Sequence, residues 1–235
     1  MTSDPTTDPW EASYARRQNW LFWPNEELVR AISRTVRRRI GISESEPAPG
    51  APAGNRFLDL GCGIGRHLVF GHELGYDVSG IDLSAHAVEL ARAWLESLDG
   101  TDVQNQVVQG DVRSLPWDDG EFAVVVSHGV LDSMHFEIAR EGVAEVARVL
   151  AGDGVFYCDL IAGPPREEIV TGDHETGTVQ SWFDRPKIEA LLSGSFTVQE
   201  ATLVSRTDLD GEPMGGRWHL ILRPSGFRGS VEPQA

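Results

Sequence analysis

Three glycines at alternate positions, Gly61, Gly63 and Gly65, follow the apolar run Phe57-Leu-Asp-Leu, and an acid, Asp59, stands two residues before the first of them. Glycine lets a chain turn sharply out of a buried strand and lets main-chain N–H groups approach a ligand. About twenty residues past Gly61, Asp82 ends a second strand-like run, Tyr76-Asp-Val-Ser-Gly-Ile, where a carboxylate accepts both hydroxyls of a ribose. Alone, Asp82 reads as an ordinary acid at a strand end; after this glycine turn the ribose role is favoured. Together these residues suit an adenosine-type ligand held against bare backbone. Dinucleotide folds use G-x-G-x-x-G, with pyrophosphate at a helix N-terminus, and the third glycine of that pattern would fall on Arg66.

Two further segments carry polar groups at the ends of apolar runs. Val107-Val-Gln-Gly is followed by Asp111 and Val112, and Phe122-Ala-Val-Val-Val by Ser127 and His128. The second run suits a central parallel strand covered on both faces, with its C-terminal end opening onto the ligand crevice.

These segments must be positioned by alternating elements. Strand and helix patterns alternate from Arg56 to about Leu160, the signature of a parallel α/β sheet. Ser84 can cap a helix that buries Val88, Ala91, Leu95 and Leu98. Phe136 to Leu150 has helical spacing, and Gly154 to Leu160 reads as the fifth strand. The segment Ile161 to Val179 reads as irregular. A helix follows from Asp184 through Leu192, with Pro186 in its first turn, and Phe196–Arg206 and Arg217–Arg223 read as two antiparallel strands. Upstream, residues 1–9 read as a mobile tail. Asn25 can cap a helix to Ile40, with Leu28, Ile32, Val36 and Ile40 on one stripe and Gly41 as its stop, and Ser43 to Asn55 reads as a loose linker. The expected organisation is a tail and helical cap over 1–42, a linker over 43–55, a core over 56–224 and a tail over 225–235.

The pattern Asp59-x-Gly61-x-Gly63-x-Gly65 resembles motif I of the class I methyltransferases that use S-adenosylmethionine (SAM), and the resemblance covers about Arg56 to Pro224. It implies a Rossmann-like doubly wound α/β fold, a seven-stranded sheet of order 3-2-1-4-5-7-6 with strand seven antiparallel, and an N-terminal helical cap over the pocket. It implies SAM as cofactor and S-adenosylhomocysteine as product. Cofactor contacts would come from the glycine turn with Cys62, from Asp59, which orders the loop or meets the amino group, and from Asp82 with Leu83 at the ribose. Asp111 would meet the adenine amino group, the backbone N–H of Val112 the ring, and Ser127 and His128 the crevice from the fourth strand. Arg66 could reach the methionyl carboxylate, since guanidinium pairs well with carboxylates, or it is a solvated first-turn residue.

Methyl transfer to a hydroxyl needs a proton acceptor, for which histidine is the commonest agent, whereas an amine need only arrive deprotonated. His128 and, less well placed, His135 are the candidate bases; the alternative is that His128 only lines the pocket. Asp132 is a third polar residue after the fourth strand. Tyr14, Trp20 and Trp23, in an aromatic-rich stretch beginning at Trp10, could stack on a substrate or anchor the N-terminal helix. Asp173-His174-Glu175 invites a metal or acid–base reading, but adjacent residues seldom chelate one ion, so His174 is kept as a substrate candidate and no metal is expected. Arg37-Arg38-Arg39 reads as a solvated helix face.

With 36 acids against 20 bases over 235 residues, the net charge is −16, which repels nucleic acid and anionic membrane at long range. The two cysteines suggest no disulfide framework, and no membrane-length apolar run appears. A cytoplasmic monomer or homodimer is expected. The reading is SAM-dependent methylation of a small molecule at O or N. The alternatives are an RNA or protein methyltransferase and a non-catalytic SAM-binding protein; Arg66 and the lack of a recognisable Tyr/Lys pair count against a nicotinamide oxidoreductase.

Overall fold

The computed structural model describes residues 7–42, 44–100, 103 and 106–227. The chain opens with α1 (Thr7–Ala15) and α2 (Glu26–Thr35), followed by the short strands β1 (Arg37–Arg39) and β2 (Ser45–Pro47). Alternation begins with β3 (Arg56–Leu60), α3 (Arg66–Glu73), β4 (Asp77–Asp82), α4 (Ala85–Asp99) and β5 (Val107–Gln109). It continues through β6 (Phe122–Ser127), α5 (Phe136–Val149) and β7 (Leu150–Ile161). The hairpin β8 (Arg166–Ile169) and β9 (Val179–Trp182), helix α6 (Arg185–Leu192), and strands β10 (Phe196–Thr207) and β11 (Pro213–Pro224) complete it.

The main sheet has seven strands in the order β10-β11-β7-β6-β3-β4-β5. Renumbered from β3 as the first core strand, this is the expected 3-2-1-4-5-7-6. The β3–β4, β3–β6, β4–β5 and β6–β7 pairs are parallel, and β11 runs antiparallel to both β7 and β10. Every residue of β6 is buried, which its unbroken apolar run requires in a sheet covered on both faces. One core packs α5 and α6 against the sheet through residues such as Val146, Leu191 and Phe156; the other packs α2, α3 and α4 through Ile32, Leu68 and Ala91. In α4, Val88, Ala91 and Leu95 are buried, but Leu98 is 40% exposed, one turn from the left-handed Gly100 that ends the helix. Cys62 and Cys158 are both buried free thiols.

Several expectations are corrected. Part of the tail expected over 1–9 is helical: α1 begins at Thr7, while 1–6 lie outside the described residues, as do 228–235 of the C-terminal tail. The helix capped by Asn25 ends at Thr35 and not at Ile40. Thr35 and Val36 are indifferent helix formers, and Arg37–Arg39 pair with Ser45–Pro47 in a ladder. Ile40 is consequently 55% exposed, and the three arginines lie on a strand. The segment read as a loose linker is tied down: Ala48 is buried and its N–H donates to the Val36 carbonyl. Arg223 donates to the carbonyls of Gly50 (3.0 Å) and Asp153 (2.6 Å), while the Ala53 N–H donates to Asp153 Oδ2 (3.0 Å). Between Ile161 and Val179, β8 pairs with β9, so this stretch is partly regular. No helix among the described residues is long and apolar enough to cross a membrane.

Arg223→Met would leave those carbonyls without their donor, at a cost of about 1–3 kcal/mol. Urea unfolding should show the loss, and amide exchange should speed up around Ala53; unchanged exchange there would contradict the tether.

Candidate functional site

The C-terminal ends of β3, β4 and β6 meet at a cleft of about 310 Å³. The glycine turn leaves β3 and crosses it. Gly61, Gly63 and Gly65 have φ of 69°, 53° and 96°, a region costly for L side chains. A Cβ on Gly61 would stand 2.4 Å from Val130 Cγ2, and one on Gly63 would stand 2.7 Å from the Tyr14 hydroxyl. The turn therefore presents backbone between two close walls.

Asp82 holds this turn to the end of β4. Its Oδ2 accepts from the Gly63 N–H (2.8 Å) and its Oδ1 from the Ser84 N–H (2.9 Å). Burial raises its pKa to about 6, against the lowering effect of those two bonds. Asp59, behind the turn, is 1% exposed, and neither carboxylate oxygen has a hydrogen-bond partner; His67 Nδ1 lies 3.8 Å away. A buried carboxylate in that condition is poised for a cationic ligand. Asp111 lines the cleft but is already gripped by Arg113, with Nε and Nη2 at 3.0 and 2.5 Å, and this pairing lowers its pKa.

A buried charge cluster stands beside the glycine turn. Arg217 of β11 donates to Asp159 Oδ2 of β7 (2.6 Å) and to Asp132 Oδ2 (2.5 Å). Asp132 also accepts from the Ile161 N–H, and Asp159 Oδ1 from the Gly129 N–H. Burial pushes Asp132 above the usual carboxylate range despite Arg217. Burial would raise Asp159 as well, but His128, Arg217 and its hydrogen bonds together hold it below that range.

His128 connects this cluster to the cleft. Its Nδ1 lies 3.1 Å from Arg66 Nη2. A guanidinium only donates, so Nδ1 is the lone-pair nitrogen and the ring proton sits on Nε2. Nε2 faces Asp159 Oδ2 at 3.3 Å, without the alignment of a hydrogen bond. Burial lowers the pKa of His128 to about 3 against the pull of Asp159, so the ring is neutral.

Of the residues expected from the sequence, the cleft is lined by Gly61, Cys62, Gly63, Arg66, Asp82 and Leu83, together with Asp111, Val112, Tyr14, His128 and His135. Asp59, Gly65 and Ser127 support it from behind; Gly65 starts α3, and the buried Ser127 hydroxyl has no partner. His135 is half-exposed and bonds Glu167 through Nδ1 (2.7 Å). Four substrate candidates do not line the cleft. Trp20 donates to the Tyr14 carbonyl and packs near Phe22 and Trp94 around a separate cavity. Trp23 is 85% exposed. Asp132 is committed to Arg217, and the exposed His174 to the Gln18 carbonyl. No metal-type cluster of three His, Cys, Asp or Glu occurs among the described residues.

Trp10 and Glu175, which the sequence reading placed in an aromatic-rich stretch and an acid–histidine cluster, also line the cleft. That reading passed over Asp159, Arg217 and Met134. Asp159 carried a signal, a lone charge within the apolar strand Val155–Leu160; the others carried none, because distant segments bring them to the site.

Residues 57–154 match the methyltransferase-domain family. The chain is 28% identical over 196 residues to the O-methyltransferase rstn1 of Aspergillus nomiae, covering 79% of this chain and 83% of that one. It is 33% identical to the uncharacterized methyltransferase YcgJ of Bacillus subtilis over 44% of this chain, and spans only 40% of that protein. In structure it is similar to 1,6-didemethyltoxoflavin-N1-methyltransferase of Burkholderia thailandensis, solved with 1,6-didemethyltoxoflavin and S-adenosylhomocysteine, at a TM-score of 0.64 and 18% identity over 94% of this chain and 88% of that one. With the glycine turn, the acids at the strand ends and the strand order, these likenesses show a methyltransferase domain at residues 57–154, on a fold similar to that of S-adenosylmethionine-dependent methyltransferases.

Proposed function

We propose that the protein methylates an O or N atom of a small-molecule acceptor. The observation that carries this reading is the roof over the cleft. Trp10 and Tyr14 of α1, Asn19 and Leu21 beyond it, and Gly177–Val179 at the start of β9 all line the cavity, which has a volume of about 310 Å³. A macromolecular acceptor would need an open face, and the strong net negative charge gives nucleic acid no long-range attraction. The names of the relatives from A. nomiae and B. thailandensis are compatible with this reading.

The residues present fit the cofactor. Asp59, buried and unpartnered behind the turn, would take the ammonium group of the methionyl end, and Arg66 its carboxylate. Asp82 can accept the ribose hydroxyls while keeping the bonds from Gly63 and Ser84, since a carboxylate has about four acceptor sites. Asp111 would serve the adenine end while also paired with Arg113. When bound, S-adenosylmethionine supplies an electrophilic methyl group on a sulfonium. The chain's own part is to align the acceptor, exclude water and hold its proton. His128 cannot take that proton while Arg66 occupies Nδ1. If a ligand carboxylate draws Arg66 away, the Nδ1 lone pair faces the cleft, with Nε2–H kept toward Asp159. His128 is then the base for a hydroxyl acceptor; His135, paired with Glu167 at the rim, is the poorer candidate.

Asp82→Ala should weaken S-adenosylmethionine binding by about 1–3 kcal/mol, as measured by calorimetry, because the ribose acceptors would be lost; unchanged affinity would mean the ribose site is misplaced. For the acceptor class, transfer of labelled methyl can be screened against small phenols and amines. His128→Asn should lower kcat about 10²–10⁴-fold for a phenol of ordinary pKa, and much less for an amine. Equal losses on both would refute the role as base, and tight cofactor binding without turnover on any acceptor would favour the non-catalytic reading.

A further inference from the structure

We infer that Glu175 is an acceptor-recognition residue, and that the acceptor presents a cationic nitrogen group to it. This rests on the methyl-transfer reading. Glu175 and Arg17, with φ of 59° and 61°, are the non-glycine residues in the left-handed region among those described. Both belong to turns that bond each other across the cleft's roof: Gln18 Nε2 donates to the Asp173 carbonyl (2.8 Å), and His174 Nε2 lies 3.1 Å from the Gln18 carbonyl. The Glu175 carbonyl accepts from both the N–H (3.0 Å) and the Oγ1 (2.8 Å) of Thr178, which fixes the strained residue in place. Such strain costs on the order of 1 kcal/mol and persists where surrounding structure enforces it, often at ligand sites.

The side chain held this way lines the cleft and is only 20% exposed. Among the described residues its carboxylate accepts no hydrogen bond, and its nearest basic group is His174 Nδ1 at 3.6 Å. At that distance His174 makes no hydrogen bond to the carboxylate. The same cleft is lined by the apolar side chains of Trp10, Leu21, Met134 and Ile138. The cleft's arginines are engaged elsewhere, Arg66 on His128 and the Trp23 carbonyl, and Arg113 on Asp111. A half-shielded carboxylate in a cleft that also presents apolar and aromatic groups selects a flat apolar body bearing a cation, and rejects an anion strongly.

The test uses the full chain saturated with S-adenosylhomocysteine and three probes of one shape: tryptamine, tryptophol and indole-3-acetate, with dissociation constants measured by ligand-detected NMR. Tryptamine should bind at least about tenfold more tightly than indole-3-acetate, with tryptophol between. Glu175→Gln should bring the three within about threefold of one another. Glu175→Gly, which relaxes the backbone at this φ, should do the same in a chain at least as stable as the parent. Equal or tighter binding of indole-3-acetate, a preference that survives both substitutions, or no binding of any probe would overturn the inference. Failure of S-adenosylhomocysteine to bind in the first place would instead overturn the methyl-transfer reading.

Discussion

The site depends on one buried carboxylate. Asp82 accepts from the Gly63 N–H on one oxygen and from the Ser84 N–H on the other, so it fixes the glycine turn, the end of β4 and the start of α4 relative to one another. Ser84 in turn caps α4 through its hydroxyl, which accepts from the Ala87 N–H and donates to Glu11 of α1. The roofing helix is thus anchored on the same corner. Two hydrogen bonds do not fully compensate the burial of this carboxylate, which is why its pKa rises to about 6. The folded chain carries an electrostatic cost at neutral pH that donor groups on a ligand would relieve.

The second organising feature lies on the other side of β3. Arg217 reaches from the antiparallel strand β11 to Asp159 and Asp132, joining the ends of β7, β6 and β11 through charges in a dry environment. A buried ion cluster of this kind is weak evidence for stability but fixes geometry closely, because breaking one partner strands the others. Here it holds Asp159 3.3 Å from Nε2 of His128, whose tautomer is set by Arg66 at Nδ1. The sheet strand farthest in sequence from the glycine turn therefore helps shape the site beside it.

Most of the sheet was legible in the sequence because its signals are local: β6 is an unbroken apolar run, Gly65 and Ser84 punctuate strand-to-helix turns, and Asp184 caps α6 as its position suggested. Errors fell where distant pairing outweighed local preference. The stripe Leu28–Ile40 had helical spacing, yet the ladder to Ser45–Pro47 took its last residues. The Pro- and Gly-rich segment after it had the composition of a linker, but hydrogen bonds from Arg223 and to Asp153 hold it. At the site, cofactor-type residues followed from spacing within one βα unit after another. The rest of the lining did not, since Trp10, Met134 and Glu175 come from three separate segments and share no motif.

If Asp82 is the ribose acceptor, ligand binding and loss of its proton are linked. In the free protein this carboxyl is about half protonated near pH 6. Hydroxyl donors stabilise the ionised form, so binding must release protons there and affinity must rise with pH up to about 6 and then level off. The direct measurement is calorimetric titration of S-adenosylhomocysteine at pH 6 in two buffers of different ionisation enthalpy. The account predicts release of roughly half a proton per site, abolished in Asp82→Asn. Binding with no proton release, or release that persists in that variant, would contradict it.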